Sequence, residues 1–578
     1  WWRRLLGGGA AGLHDQIRRA HDRGDLPRAL ELCLSGLADS PDDAVLRSLY
    51  AGTLAQQGRI AESLDAIQPY ADLPGGVEYF IELAESAARS GDARNPVAVL
   101  EHAGRLHPGS RRIALRLSDF LIENGEACKV TEVVQDFSGP EVDHLLGKSK
   151  LAEGQFESAL PFLERSFSRQ PKAATAFDIA IASLRAGIDA GRWLGKAVEL
   201  DPRHYDAWLA IGMTTLQEGN HAAAIEALRR ASRLRPEQAE PHAHLASALL
   251  RAGENEEAMD EAQMALHYDS AYGPAWHYHG LAEQALQQHD DAILSFRRAE
   301  SLQPSGAAAA AMGVSLYARG DYEAAIAAYR RAQGAGVGDK RLFNNLGLAC
   351  RETGDFSSAL GAFEHALKLD PRYAVAWCNL GLVQQDLGNV EDALGSFSRA
   401  LELDPSIEEA RWYAAVVRLR ERDYVAGWGA YEGRWQSRTA REVPFRFPAW
   451  RGESLVGRHV LIYAEQGLGD QIMFASCVSH MVENAGRVTL ECSRKLESLF
   501  RRSFPQVTVV GSLTNDRRVP EWVQGLGHVD YQVAIGSLPG HFRRNAEQFP
   551  VHSGYLRADP ERVEYWRSEE HTSELQSH

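Results

Sequence analysis

At 578 residues the chain is too long for one hydrophobic core, so it must divide into domains or extend as a repeat array. A hydrophobic fraction of 44% and a charged fraction of 24% are those of a folded chain and exclude a disordered one. The net charge of −16 disfavours nucleic acid and anionic membrane as general partners, since either would be repelled over most of the surface.

The six cysteines, Cys33, Cys128, Cys350, Cys378, Cys477 and Cys492, form no CxxC pair, so neither a metal site nor a disulfide framework is expected and a reducing cytoplasm fits best. No apolar run reaches the ~18 residues of a membrane span, and the opening WWRRLLGGGAAGL lacks the apolar core of a signal peptide. Residues 1–12 are read as a fragment start. The stretch RSEEHTSELQSH, residues 567–578, resembles a translated sequencing adapter and is set aside as an artefactual tail, which implies that sequence beyond Trp566 is missing.

Self-similarity dominates the middle of the chain. A small residue is followed twelve positions later by alanine at Gly212/Ala224, Ala246/Ala258, Gly280/Ala292, Gly313/Ala325, Gly347/Ala359 and Gly381/Ala393, with spacings of 34, 34, 33, 34 and 34 residues. A further alanine follows seven positions on, usually after an aromatic (Phe296, Tyr329, Phe363, Phe397), and prolines close units at Pro202, Pro236, Pro304, Pro371 and Pro405. Trp208, Trp276 and Trp377 fill the large position early in the first helix. This pattern is that of tetratricopeptide (TPR) repeats, helical hairpins that bury their apolar faces only by stacking. The expected solenoid has ten to twelve hairpins over residues 13–435, clearest over 203–405 and capped by a helix over 424–435. Between Gly75 and Val142 no clean register is visible.

The array predicts a groove for a protein or peptide client. It resembles the arrays of protein O-GlcNAc transferases, in which asparagines two residues before the small glycine hold a client backbone. That place is filled here by Asn345 and Asn379, and in other units by Ala210, His244, Tyr278 and Ala311. Ordinary exposed polar residues are the alternative reading of both asparagines.

After Pro405 the register decays, and Trp428, Tyr431 and Trp435 at i, i+3 and i+7 place three aromatics on one helix face, read as core packing. Residues 436–457, with Pro444 and Pro448, read as an extended linker. From Arg458 the period changes. HVLIYAE reads as a buried strand, GLGD as a tight loop, QIMFASCVSHMVENAG as a helix, RVTLECS as a strand, RKLESLFRRSFP as a helix and VTVVGS as a strand. This βαβαβ order predicts one parallel sheet with its ligand site at the strands' carboxyl ends. The first such end carries Glu465, Gln466, Gly467, Leu468, Gly469 and Asp470, which lack the third glycine of GxGxxG and the lysine of a P-loop. On chemistry alone Asp470 reads as a helix N-cap.

From GWGAYEGRW through PAWRG, LIYAEQGLGDQIMF, LECS and AIGSLPGHF to FPVHSGYL, the segment resembles a bacterial domain that follows TPR arrays and is similar to heptosyltransferase-type glycosyltransferases. The resemblance implies a mainly helical protein: a TPR solenoid, then residues 458–566 as the Rossmann-like first half of a GT-B domain. It implies Asp470 as general base, and Glu465, Gln466, Gly467, Gly469 and Ser537 as substrate-binding residues. A nucleotide sugar would be the donor and a protein or glycan the acceptor, with no metal and no other cofactor. With the donor-binding half absent, this chain by itself is expected to be inactive. The rival reading is a non-catalytic TPR scaffold with a degenerate Rossmann-like module.

Overall fold

The computed structural model describes residues 11–70, 75–436, 446–512, 520–550 and 554–567. Most of the fragment start, half of the expected linker and all but the first residue of the expected tail lie outside them. The chain forms two compact units, Trp1–Ala282 and Glu283–His578.

Helices follow one another in pairs. The first helices begin at residues 11, 44, 76, 111, 140, 173, 205, 239, 273, 306, 340, 374 and 408, giving thirteen pairs among the described residues where ten to twelve were expected. The surplus lies in the stretch without a register, and its cause is visible. The partner of Arg111–Glu123 is only a 3-10 turn, Ala127–Lys129, and a five-residue helix, Val130–Val134. Pro140 then opens the next pair after 29 residues instead of 34, so the period slips and a search for fixed spacing loses it.

The small residues do what their spacing implies. A Cβ on Gly347 would stand 2.8 Å from the Phe363 ring, and one on Gly381 would stand 2.7 Å from that of Phe397. Both rings are wholly buried. Each aromatic thus lies flat against the backbone of the helix preceding it, sixteen residues beyond the glycine it covers. Second helices end on a residue with extended backbone, such as Asp370 or Asp404, and the proline follows where no helical N–H is needed.

The recurrent tryptophan has a polar task that the sequence pattern did not reveal. Trp208, Trp276 and Trp377 each donate Nε1–H to the carbonyl six residues earlier, of Pro202, Ser270 and Pro371, at 2.9–3.0 Å. His242 and Arg411 reach the equivalent carbonyls of Pro236 and Pro405. The side chain therefore ties each first helix to the turn that precedes it.

At the end of the second unit lies a four-stranded sheet: β1 (His459–Tyr463), β2 (Arg487–Ser493), β3 (Thr508–Ser512) and β4 (Tyr531–Ala534). The order is β3-β2-β1-β4 and every pairing is parallel. Strands β1 to β3 match the three expected runs. Strand β4 was not read from the sequence, because YQVA is short and half polar. β1 is buried throughout, as a central parallel strand covered on both faces must be. Its Val460 and Ile462 pack with Phe474, Val478, Met481 and Phe500, while Leu461 and Tyr463 face Leu526 and Val529.

Three local expectations are corrected. GLGD is not a free loop: Gly467 is the N-cap and the helix Leu468–Phe474 starts inside the motif. The helix that follows is broken by a 3-10 turn at Ala475–Cys477 before Val478–Asn484. Within the stretch read as linker, Ala449 bridges Gln532 of β4, and Trp450 N–H donates to the Gln532 carbonyl at 2.9 Å, so residues 448–450 extend the sheet edge.

In the first unit, burial pushes His244 below its ordinary value and His277 down to about 4. A base whose folded pKa is depressed gives stability that is complete above its unfolded value and is lost as pH falls. Denaturation curves followed by circular dichroism should therefore show stability declining between pH 6.5 and 4. His277→Leu should remove up to about 3 kcal/mol of that decline, from about 1.4 kcal/mol per unit.

Candidate functional site

Two groups of polar side chains are the candidates for a site. The first is in the array. Asn345 and Asn379, the two expected groove residues, stand half-buried on the helices Lys340–Glu352 and Ala374–Asp386. A third asparagine, not singled out from the pattern, joins them: Asn379 Nδ2 donates to Asn344 Oδ1 at 2.9 Å, and Asn344 Nδ2 donates to Asn345 Oδ1 at 3.4 Å. Asn344 is 4% exposed, so a buried amide ties the two half-buried ones to each other. The signal available in the sequence was the doublet Asn344-Asn345, of which spacing alone selects only one member.

The second group lies at the carboxyl ends of β1 and β4. The chain leaves β1 toward β2 and β3 on one side and returns to β4 on the other, which makes these two ends the switch point where an open parallel sheet usually takes its ligand. Glu465, two residues past β1, has a side chain 3% exposed. Its Oε1 accepts from Gly536 N at 3.1 Å and from Arg434 Nη2 at 3.1 Å. The same Nη2 donates to Ser537 Oγ at 2.7 Å, and Ser537 donates to Glu432 Oε2 at 3.1 Å. Burial raises the Glu465 carboxyl above the ordinary range, and the Arg434 guanidinium opposes the shift. Glu465 Oε2 and Arg434 Nε are buried without a hydrogen-bond partner among the described residues.

Arg434 was not foreseen as part of this group. It sits on the 3-10 turn Glu432–Gln436 that follows the last helix, Tyr424–Tyr431. That turn also corrects the reading of three aromatics on one face. Trp428 and Tyr431 pack with Phe474 on the Ile462 side of the sheet, whereas Trp435 packs with Tyr463 on the other. Arg434 lies between them, its guanidinium carbon 4.7 Å from the ring centroids of both Tyr431 and Trp435.

The remaining expected residues are arranged around the β1 end. Tyr431 Oη donates to Gln466 Oε1 at 2.8 Å, and burial pushes this hydroxyl up to about 12. Gln471, almost fully buried, donates to the Gln466 carbonyl and accepts from Ser493 N, pinning the loop to β2. Gly467 lies against the carboxylate of Asp470, 3.3 Å from Oδ2 to an added Cβ, while a Cβ on Gly469 would meet open space. Asp470 is not the N-cap that its chemistry alone suggested. Gly467 holds that position, no side chain caps this helix, and Asp470 stands in its first turn, where the helix dipole favours a negative charge. Glu491, wholly buried on β2, accepts from Ala464 N at 3.0 Å and from Ser512 Oγ, bracing the β1 end from below.

Replacing Arg434 with methionine leaves the buried Glu465 carboxylate without its counter-charge. Unfolding of the second unit at pH 7 should become easier by about 3–5 kcal/mol, the usual effect of breaking a buried pair from one side. The double change Arg434→Met with Glu465→Leu should recover most of that loss.

Comparison with known proteins bears on the array. Profiles described as Tetratricopeptide repeat match residues 177–239, 215–278, 279–340, 310–374 and 374–407. The chain is 35% identical over 153 residues to Protein FlbA of Caulobacter vibrioides, covering 25% of this chain and 26% of that protein. It is 24% identical over 282 residues to TPR repeat-containing protein YpiA of Bacillus subtilis, covering 46% of this chain and 66% of that one. Among solved structures, the APC/C hetero-tetramer Cut9-Hcn1 matches with a TM-score of 0.39 at 15% identity, over 70% of this chain and 95% of that one. The chain thus spans about a quarter of FlbA and just under two thirds of YpiA. Over residues 177–407, where helical hairpins and matching profiles coincide, the chain is built of tetratricopeptide repeats.

Proposed function

We propose that the repeat array holds a protein or peptide client and that the parallel sheet is the acceptor half of a GT-B glycosyltransferase, which moves a sugar from a nucleotide donor to a protein or glycan. The observation that supports transfer is the joining of Glu465, Arg434 and Ser537 at the ends of β1 and β4, with Asp470 in the first turn of the helix that leaves β1. In this reading the acceptor hydroxyl attacks the anomeric carbon, Asp470 takes the hydroxyl proton, and the nucleoside diphosphate leaves with the bonding electrons. Arg434 and Glu465 shape the site beside that carboxylate. Asn345 and Asn379, braced by Asn344, bind client backbone.

A client-binding scaffold without transfer is the second reading, favoured by the repeat profiles over residues 177–407. One experiment separates the two. In a polypeptide that joins this chain to a donor-binding half, Asp470→Asn should lower sugar turnover at least ~100-fold, the usual contribution of a general base. Thermal stability should stay unchanged, since the helix end is capped by Gly467. Asn345→Ala with Asn379→Ala should instead weaken peptides selected on the array by ~1–3 kcal/mol, about one hydrogen bond each. Transfer that survives Asp470→Asn removes that residue from the mechanism. Client binding with no transfer from any nucleotide sugar decides for the scaffold.

A further inference from the structure

The helix Gly191–Leu200 is the second helix of its hairpin and has ten residues, where the second helices before and after it, Phe156–Arg169 and His221–Leu234, have fourteen each. Of the ten, Leu194 and Ala197 alone are buried. Leu194 packs with Ala180 and Ala190, and Ala197 packs with Ala176 and Ala207, so the core on both sides of this helix consists largely of methyl groups. The large side chains around it, Phe167, Phe177 and Trp193, are half-buried, in contrast to the wholly buried Phe363 and Phe397 of later hairpins. Stabilisation scales with apolar area removed from water, and alanine has little to give.

Local signals are weak as well. Ala190 at the N-cap offers no side-chain hydrogen bond, and Gly191 and Gly195 are two poor helix formers in ten residues. A Cβ on Gly195 would meet nothing within 4 Å, so no close approach demands a glycine there.

Shortness alone does not loosen a helix of this array. Ile60–Ile67 has eight residues, yet Ser63 Oγ donates to the Ala51 carbonyl at 2.7 Å and Ile67 joins a large apolar cluster. The five-residue helix Val130–Val134 buries both end valines in the same cluster. In Phe156–Arg169, Ser166 Oγ donates to the Pro140 carbonyl at 2.6 Å, and Arg165 and Arg169 pair with Asp143. His221–Leu234 is tied to the next second helix by Arg229 and Glu257. Among the described residues, no side chain of Gly191–Leu200 makes a hydrogen bond or an ion pair to another element. Its charged groups make cation–π contacts instead: Lys196 lies 4.1 Å from the Trp193 ring and 5.1 Å from that of Phe167, and Arg192 lies 5.8 Å from Trp193.

We propose that Gly191–Leu200 is a conformational joint of the first unit: it opens as one segment while the hairpins on either side stay folded, and the array bends there. Few buried apolar groups, no cap and no polar tie are the properties of segments that open below the global stability. The joint depends on neither sugar transfer nor client binding, so its failure would leave the proposed function untouched.

The test uses the whole chain. In hydrogen exchange followed by mass spectrometry, amides of residues 191–200 should exchange at least about tenfold faster than those of the helices Ala173–Arg185 and Tyr205–Gln217. Gly195→Ala should slow exchange in 191–200 by about fivefold, the effect of one interior glycine-to-alanine change, and leave the two flanking helices as they were. Bending is read by spin labels on Cys128, the one exposed cysteine of the six, and on an introduced Arg233→Cys, exposed on the second helix beyond the joint. The distance distribution between them should be broad, and Gly195→Ala should narrow it. Exchange in 191–200 as slow as in the flanking helices, or slowed equally in all three by Gly195→Ala, would overturn the joint. So would a distance distribution that is narrow from the start or unchanged by the substitution.

Discussion

An aromatic ring laid on a glycine is the contact from which the array takes its shape. With Phe363 against Gly347 and Phe397 against Gly381, the two helices of a hairpin come closer than any side chain at those glycines would allow. That closeness fixes how much apolar surface each hairpin leaves for the next, and so the repeat length. The tryptophan-to-carbonyl bonds act one level up, tying each hairpin to the turn before it. Where an aromatic is replaced by leucine, as in Leu228 against Gly212 and Leu163 against Gly147, the same close contact persists with a less rigid filler.

At the far end a different rule takes over. Parallel strands buried on both faces have no side chains to spare for chemistry, so function must lie on the loops at their ends. Here one of those ends is completed from outside the sheet. Arg434 arrives from the last helical turn, pairs with Glu465 and orders Ser537, which makes the final hairpin part of the site rather than a neighbour of it. Charge buried to this depth is seldom gained for stability alone, since apolar substitutes of equal volume often serve as well.

What could be read from the sequence follows from how local each signal is. The register from Gly212 to Ala393 is legible because glycine, alanine and aromatic recur within one hairpin. Upstream, the shortened helix Val130–Val134 removes the constant length on which such reading rests. Strands β1 to β3 are runs of branched and apolar residues and declare themselves. β4 does not, since Tyr531 and Gln532 are polar and only its pairing with β1 makes it a strand. At the ends of β1 and β4, Glu465, Gln466 and Ser537 are singled out by resemblance and not by any pattern in the residues. Arg434 was hidden in an aromatic stretch that reads as core, because its role depends on a partner 31 residues away. Asp470 was placed in the correct turn but at the wrong position, one turn geometry differing from another only in which residue takes the cap.

The straddling of the sheet by Trp428, Tyr431 and Trp435 bears on how such proteins are assembled by recombination. A junction drawn where the repeats fade, after about residue 405, would carry the whole wedge along with the sheet. One drawn where the strands begin, near residue 458, would leave three aromatics and a guanidinium uncovered on one fragment and a carboxylate without its counter-ion on the other. The smallest portable piece of this sheet is therefore longer than the sheet itself. It starts at Asp423, whose side chain caps the last helix, and any exchange of modules among related chains must respect that seam.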